Sequence, residues 1–362
     1  MSKLKVGIIG CGGIANSKHL PALASQSEKA EMVAFCDIIE ERAVKAAKKY
    51  GVAGAKTYTD YRELLDDRTI DVVHICTPNR SHSEITVAAL EAGKHVMCEK
   101  PMAINSGEAQ KMLDAAKRTG KKLTIGYQNR FRPDVSLLKR MADSGKLGDI
   151  YYAQAHALRR RAVPTWGVFL NEYEQGGGPL IDIGTHALDL TLYIMNNYSP
   201  ETVLGQTFKK LSSQDTETGN AFKDWKKEEF TVEDSAFGFV RMKNGAVINL
   251  ESSWALNIEK SREASATFCG TLAGADLIEG NVRINKVEFG KQSVDEFCIS
   301  GKGVPFFDPS RQPSETEIEC AQWLDSIIYD KLPVVLPEQA LVVTQILEAI
   351  YKSAKEKSAI AL

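Results

Sequence analysis

The sequence predicts an α/β protein in two parts: a doubly wound parallel sheet, then an α+β domain with a mostly antiparallel sheet. Three observations lead there. Short apolar β runs alternate with helical stretches through the first 125 residues, which implies a parallel sheet with helices on both faces. Those runs are continuously apolar, as in "VVHIC" (72–76), and so fit strands covered on both sides. After about residue 130 the strands follow one another with few helices between them, separated by Gly and Asn at hairpin-like intervals, which suits an antiparallel sheet. The domains are expected at 1–127 and 128–362.

In chain order, "KVGIIG" (5–10) predicts a strand and 14–28 a helix broken by Pro21. "EMVAFCD" (31–37) is a strand, 39–50 a helix with an Ala/Lys pattern, and 57–67 a further short helix. "IDVVHICTP" (70–78) and "HVMCEKP" (95–101) are strands, each followed by a helix, at 81–92 and 105–119, before the strand at 123–128. In the second part, a helix at 133–143 leads to the alternating run 149–158, and another helix covers 179–195. Strands are then expected at 230–242, 246–256, 262–271, 275–280 and 281–289, and closing helices at 314–330 and 337–357. Residues 207–228 are polar and irregular, a surface excursion.

The 362 residues suffice for two sizeable cores, and a hydrophobic share of 43% with 25% charged residues is that of an ordinary globular protein. A net charge of −2 without a dense basic stripe argues against nucleic-acid binding. No apolar run reaches membrane-spanning length, and the N-terminus runs straight into a strand pattern, so a cytoplasmic protein is expected. Seven scattered cysteines without Cys-x-x-Cys point to reduced, buried side chains rather than disulfides or zinc.

Chemistry enters at "GCGGIA". Gly10-x-Gly12-x-x-Ala15 follows a strand and opens a helix. The first glycine permits a tight turn, the second lets backbone approach a pyrophosphate, and the small third residue lets helix and strand pack closely. Gly13 and Ile14 complete this loop, whose N–H groups would face the anion. Asp37 ends the next strand, 22 residues past Ala15, where a carboxylate accepts from both ribose hydroxyls of an adenosine. It would repel a 2′-phosphate, and Ile38 and Ile39 follow it, so NAD is expected over NADP. Thr77, Pro78 and Asn79 fall at the same carboxyl edge of the sheet, and His82 could reach a ribose or the nicotinamide.

Two stretches carry acid–base groups. "CEKPM" (98–102) puts Glu99 and Lys100 where an apolar strand ends. Side chains alternate along a strand, so Lys100 is expected to face the nicotinamide while Glu99 anchors backbone or ribose; Pro101 fixes the exit. In "EQGGGPLIDIGTHALDLTLYIM" (174–195), Asp182, His186 and Asp189 fall at i, i+4 and i+7 on one helical face. His186 suits a general base, with Asp182 shaping its surroundings or holding a substrate hydroxyl. Together the two halves describe hydride transfer from a carbinol carbon to a nicotinamide: an imidazole takes the hydroxyl proton, an ammonium steadies the alkoxide, and no metal is required.

These motifs, in this order and over nearly the whole chain, resemble the glucose-fructose oxidoreductase/inositol dehydrogenase/rhizopine catabolism (Gfo/Idh/MocA) family. The resemblance implies a Rossmann domain and a second domain with a large open-faced sheet, whose outer face often mediates oligomerisation, so a dimer, tetramer or higher homo-oligomer is expected. It implies Lys100, Asp182 and His186 as the catalytic trio, the nicotinamide between Lys100 and the Asp182–His186 helix, and a sugar, sugar derivative or cyclitol as substrate. The cofactor set is expected to be Gly10, Gly12, Gly13, Ile14, Asp37, Ile38, Thr77, Pro78, Asn79, His82, Glu99, Lys100 and Gln128. Asn129 and Arg159 are expected near the substrate with the trio, and Trp166 is expected to stack on a sugar ring. Oxidation at C3 of a glucoside is the leading expectation and inositol oxidation the next. A glycoside-cleaving enzyme that uses NAD transiently and a non-catalytic NAD or sugar sensor are the alternatives.

Overall fold

The computed structural model describes residues 3–214, 218–278, 280–297, 299 and 313–362. Backbone proximity divides the chain into two units, Met1–Gln128 with Pro313–Leu341, and Asn129–Gln312 with Val342–Leu362. The single boundary expected at 127/128 leaves out the return of 313–341 to the first unit. That return has a packing reason: Cys320, Trp323 and Leu324 of the helix Glu315–Ile328 are buried in one core cluster with Leu20, Leu23, Phe35 and Met97. Ser314 and Glu317 start this helix with a reciprocal capping box.

The first unit is built on strands β1 (Leu4–Ile9), β2 (Ala30–Cys36), β3 (Lys56–Tyr58), β4 (Val72–Ile75), β5 (His95–Cys98) and β6 (Leu123–Ile125). They form one sheet in the order β3-β2-β1-β4-β5-β6, with every pairing parallel. Strand order reverses between β1 and β4, the switch point at which open α/β sheets bind ligands beyond the strand ends. The expected helix 14–28 is a π-helical turn, Ala15–His19, running into an α-helix, Leu20–Ala24. Pro21 sits where the π-helical turn passes into the α-helix; lacking an N–H, it cannot bond back to the preceding turn. The expected helix 57–67 is instead the short strand β3 followed by Tyr61–Leu65, because the Asp60 carboxylate caps the Arg62 N–H and starts the helix late.

The second unit carries β7 (Ile150–Leu158), β8 (Pro200–Phe208), β9 (Ser235–Met242), β10 (Val247–Ser253), β11 (Arg262–Gly270), β12 (Gly274–Ile278), β13 (Asn281–Glu288), β14 (Lys291–Phe297) and β15 (Ile360–Ala361). Their order is β14-β13-β12-β11-β7-β10-β9-β8-β15, antiparallel throughout except for β7 beside β10. Strands β8, β14 and β15 were not anticipated. They lie at or near the sheet's two edges, where polar residues and a proline or glycine are tolerated and the apolar alternation weakens. The inner face buries Ala155, Ala157, Val240, Leu250, Ala266 and Phe268. The alanines of β7 are small enough to let the helix Thr185–Met195 close onto the sheet. On the other face a cross-strand row of Leu204, Phe239, Asn249, Gln154 and Thr267 is left open, with Leu204 and Phe239 exposed.

Of the seven cysteines, Cys298 lies outside the described residues. The other six are free thiols, and all but Cys269 are buried. Among the described residues no helix is long and apolar enough to cross a membrane.

Candidate active site

At the carboxyl end of β1, Gly10 has φ +90, and a Cβ there would meet the Cys76 carbonyl carbon and oxygen at 2.7 Å. Gly10 is therefore fixed by the strand beside it. A Cβ on Gly12 or Gly13 would meet no atom within 4 Å; the space above these two residues is what a pyrophosphate needs. Asn16, which sequence reasoning passed over, holds the loop: its Nδ2 donates to the carbonyls of Cys11 and Gly12, each at 2.8 Å. A polar residue one position past the motif was the only signal for it.

Asp37 is buried. One carboxylate oxygen accepts from the Cys11 N–H at 2.8 Å and the other from the Ile39 N–H at 2.9 Å. This carboxylate is thereby oriented at the end of β2, with acceptor capacity left over, since an ionised carboxyl offers about four lone-pair sites. Beside it Ile38 is 89% exposed, and Ile14 and Ile39 are also open. At the end of β4, Ser81 Oγ donates to Thr77 Oγ1 at 2.8 Å, Pro78 is exposed and Asn79 is buried.

His82 is not placed to reach a ribose or nicotinamide. It is fully buried, with Nδ1 2.8 Å from the Pro101 carbonyl and Nε2 3.0 Å from the Thr77 carbonyl. Burial pushes its pKa below the ordinary value. The ring ties the loop after β4 to the loop after β5.

Glu99 likewise serves backbone rather than ribose. Its Oε2 accepts from the Lys100 N–H at 3.1 Å, while Oε1 lies 2.7 Å from Lys18 Nζ and 2.8 Å from His19 Nε2. Lys18 also bonds the Glu319 carboxylate at 3.1 Å, the Gln128 side-chain oxygen at 3.2 Å and the Gly126 carbonyl at 3.3 Å. Gln128, expected at the cofactor, thus contributes to this cluster. Burial opposes ionisation of Glu99, yet Lys18 and His19 outweigh it and hold the carboxyl well below the usual range. Burial likewise opposes the Lys18 ammonium, but Glu319 and Glu99 more than compensate and raise its pKa. A carboxylate only accepts, so His19 Nε2 carries its proton; burial holds His19 neutral, and its Nδ1 then accepts from His74 Nδ1, 2.9 Å away. The outcome is a fixed start for the segment beginning at Lys100, whose bond to Pro101 is cis and whose side chain is half-buried.

In the second unit the glycine-rich stretch before Asp182 is held by a carboxylate as well. Glu233 Oε2 accepts from the Gly178 N–H at 2.9 Å; its Oε1 accepts from the Leu180 N–H at 3.1 Å and from the Tyr351 hydroxyl at 2.8 Å. The run of glycines is required by this closeness: a Cβ on Gly177 would lie 2.1 Å from the Tyr351 hydroxyl, and one on Gly178 2.4 Å from the Glu233 carbonyl. Ser252 Oγ donates to the Pro179 carbonyl at 2.7 Å. The expected helix 179–195 opens as a π-helical turn, Leu180–Gly184, before the α-helix Thr185–Met195. Such turns recur at functional sites. Asp182 and His186 are half-buried, whereas every other residue from 177 to 192 is buried. Trp254 donates its indole N–H to Asp182 Oδ2 at 3.1 Å, a contact no local pattern could have announced.

Asp189 shares the helical face but not the chemistry. It is fully buried, in a bidentate pair with Arg130: Nε to Oδ2 at 2.9 Å and Nη2 to Oδ1 at 2.6 Å. Asn129, beside Arg130, is half-buried, and its carbonyl accepts from the Arg132 N–H. Arg159 directs its fork at Glu263, with bonds of 2.7 and 2.5 Å. Burial works against its charge, but Glu263 and the nearby Asp182 raise its pKa. Its Nη1 donates to the Ala162 carbonyl at 3.2 Å. Trp166 is exposed, its ring against Phe169 and Phe222.

A nucleotide-type sheet edge and a separate helix bearing a half-buried Asp and His define an oxidoreductase of the dinucleotide-dependent class. Family models agree and cover nearly the whole chain: the oxidoreductase family, NAD-binding Rossmann fold, matches residues 4–127, and the oxidoreductase family, C-terminal alpha/beta domain, matches 139–362. The chain belongs to the Gfo/Idh/MocA family and is an NAD(P)-dependent oxidoreductase acting on CH–OH groups. It is 36% identical over 354 residues to the D-glucoside 3-dehydrogenase of Escherichia coli K12, covering 98% of this chain and 96% of that one. It is 30% identical over 270 residues to the levoglucosan dehydrogenase of Pseudarthrobacter phenanthrenivorans, covering 70% and 68%. A solved levoglucosan dehydrogenase in complex with NADH and L-sorbose superposes with a TM-score of 0.85 at 23% identity, over 100% of this chain and 99% of that one, and so shares the fold.

Proposed function

We propose that the protein is an NAD-dependent dehydrogenase that oxidises a ring secondary hydroxyl of a sugar, with C3 of a glucoside as the leading substrate position. The observation that carries this reading is the full-length similarity to a D-glucoside 3-dehydrogenase, joined to Asp182 and His186, half-buried where every other residue from 177 to 192 is buried. Inositol is the second reading, because inositol 2-dehydrogenases match 45% of the chain at 38% identity.

The residues of the first unit fit the dinucleotide. Gly12 and Gly13 leave backbone open for the pyrophosphate, Ile14 and Ile38 offer apolar surface, and Thr77, Pro78 and Asn79 line the neighbouring strand end. Asp37 would hold the ribose hydroxyls and disfavour a 2′-phosphate, which supports NAD over NADP. When bound, NAD supplies the acceptor for the hydride leaving the carbinol carbon. Among the protein's own groups, His186 takes the hydroxyl proton, Lys100 steadies the oxygen as negative charge develops, and Asp182, oriented by Trp254, holds the hydroxyl and the imidazole in register. The open outer row led by Leu204 and Phe239 is proposed to pair copies of the chain; a monomer in sedimentation velocity would remove that assignment.

The test is turnover of methyl and phenyl glucosides and of myo-inositol with NAD and with NADP, followed by reduced nicotinamide and by identification of the keto product. Lys100→Met and His186→Asn should each lower kcat by about 10²-fold or more while NAD binding persists. Full activity in both variants would refute the roles. Sugar released with no net change in the cofactor would shift the assignment to glycoside cleavage.

A further inference from the structure

The second unit contains a line of aromatic rings that begins at the catalytic carboxylate. Trp254, whose indole N–H is spent on Asp182, meets Phe169 at a centroid distance of 6.4 Å and Phe230 at 6.2 Å. Phe169 meets Trp166 at 5.8 Å, and Trp166 meets Phe222 edge-on at 4.7 Å. Trp254 is fully buried at one end; at the other Trp166 is 52% and Phe222 49% exposed.

This outer pair is held in place from both sides. Asn220 accepts from the Val163 N–H at 2.8 Å and donates to the carbonyls of Val163 at 3.0 Å and Lys223 at 2.8 Å, while the Ala221 N–H donates to the Arg161 carbonyl at 3.0 Å. Thr231 donates through its N–H and its hydroxyl to the Leu170 carbonyl, and its hydroxyl accepts from the Glu172 N–H. The segments carrying Trp166 and Phe222 are thus stitched to each other, and the far end of the Trp166 segment is stitched to the strand side. Two large aromatic faces kept rigid in water are a surface awaiting a partner.

The ring contacts of Trp166 are Phe169 and Phe222, so two aromatic steps separate it from the indole that touches Asp182. Trp166 is thus joined to that indole through Phe169 and not by a direct ring contact. We propose that Trp166 and Phe222 form an aglycone subsite: the substrate is a glycoside whose second group is a ring or other flat apolar body, and free monosaccharides and cyclitols leave this subsite empty. The inference rests on the glycoside-oxidising reading above and moves Trp166 from the oxidised sugar to its substituent.

The experiment compares phenyl and methyl glucosides, in both anomeric configurations, with the wild type, Trp166→Ala and Phe222→Ala. The readouts are kcat/KM with NAD and equilibrium binding by calorimetry with NAD present. The wild type should favour one phenyl glucoside over its methyl counterpart by about tenfold, mostly in KM, equivalent to about 1.4 kcal/mol. In each variant that ratio should fall toward one. A wild-type ratio near one, or a ratio that survives both substitutions, would overturn the subsite. If no glucoside is oxidised but phenyl glucoside binding depends on Trp166, the subsite stands and the proposed reaction falls. If binding is also indifferent to Trp166, both fall.

Discussion

Replacing Lys18 with methionine removes an ammonium that lies 2.7 Å from Glu99 and 3.1 Å from Glu319, where all three side chains are less than a tenth exposed. Methionine fills most of the volume, so the loss is electrostatic. Removing one partner of a buried ion pair costs about 3–5 kcal/mol; here two carboxylates are left facing each other's charge, which argues for the upper part of that range. For a unit of this size, about 4 kcal/mol lowers Tm by about 10 °C. The assay is urea unfolding of the full chain, with Lys18→Met, Glu99→Gln and the double variant compared at equal m. The double should be more stable than the sum of the singles by about 2 kcal/mol. Acid dependence supplies an independent check. Glu99 has a depressed folded pKa, so its contribution is present above the ordinary glutamate value of about 4.3 and is lost as pH falls below it. The wild type should therefore lose stability below that pH more steeply than Glu99→Gln. A Lys18→Met variant that costs under about 1 kcal/mol, with unchanged acid dependence, would refute this account of the cluster.

Two further outcomes separate structure from ligand binding. Gly10→Ala should destabilise the first unit by more than about 1 kcal/mol, since its φ is +90 and its Cβ would strike the Cys76 carbonyl; Gly12→Ala, whose Cβ meets nothing, should leave Tm within about 1 °C and weaken NAD binding about tenfold, as read by calorimetry. Trp254→Phe keeps an aromatic ring but deletes the donor to Asp182, so kcat should fall about tenfold with NAD affinity held. Unaltered kcat would show that the indole N–H does not orient the carboxylate.

The residues legible in the sequence were those whose meaning is local. The Gly10–Ala15 loop, Asp37 at a strand end and Asp182 with His186 four positions on are patterns within a few turns of chain, and the fold keeps those elements close to their expected limits. Their supports were illegible because they arrive from afar: Lys18 meets Glu99 across 81 positions, Trp254 meets Asp182 across 72, and Tyr351 meets Glu233 across 118. Helical spacing correctly put Asp189 on the face of His186, but spacing carries no information about depth. Only packing shows that Asp189 is wholly buried against Arg130 while His186 is half-open. His82 failed for the same reason: a histidine at a strand end reads as a ligand until its two nitrogens are found against carbonyls.

The Lys100 and Asp182–His186 stretches are anchored by one device in two electrostatic forms. Glu99 and Glu233 are both buried carboxylates, each accepting from backbone N–H groups of the stretch it serves and from side chains remote in sequence. A carboxylate suits this work because it accepts on two oxygens at once and can clamp a main chain from one side while being fixed from the other. The partners then set its charge. Around Glu99 the Lys18 ammonium and the His19 bond overcome burial and keep it ionised. Around Glu233 burial is the largest influence and the donors are neutral, a tyrosine hydroxyl and amides, so its pKa rises. What position 99 requires is therefore negative charge, and what position 233 requires is acceptor atoms in the right places. The segment carrying Lys100 is held by an electrostatic balance sensitive to any lost cation, whereas the Asp182–His186 turn is held by shape and hydrogen-bond count.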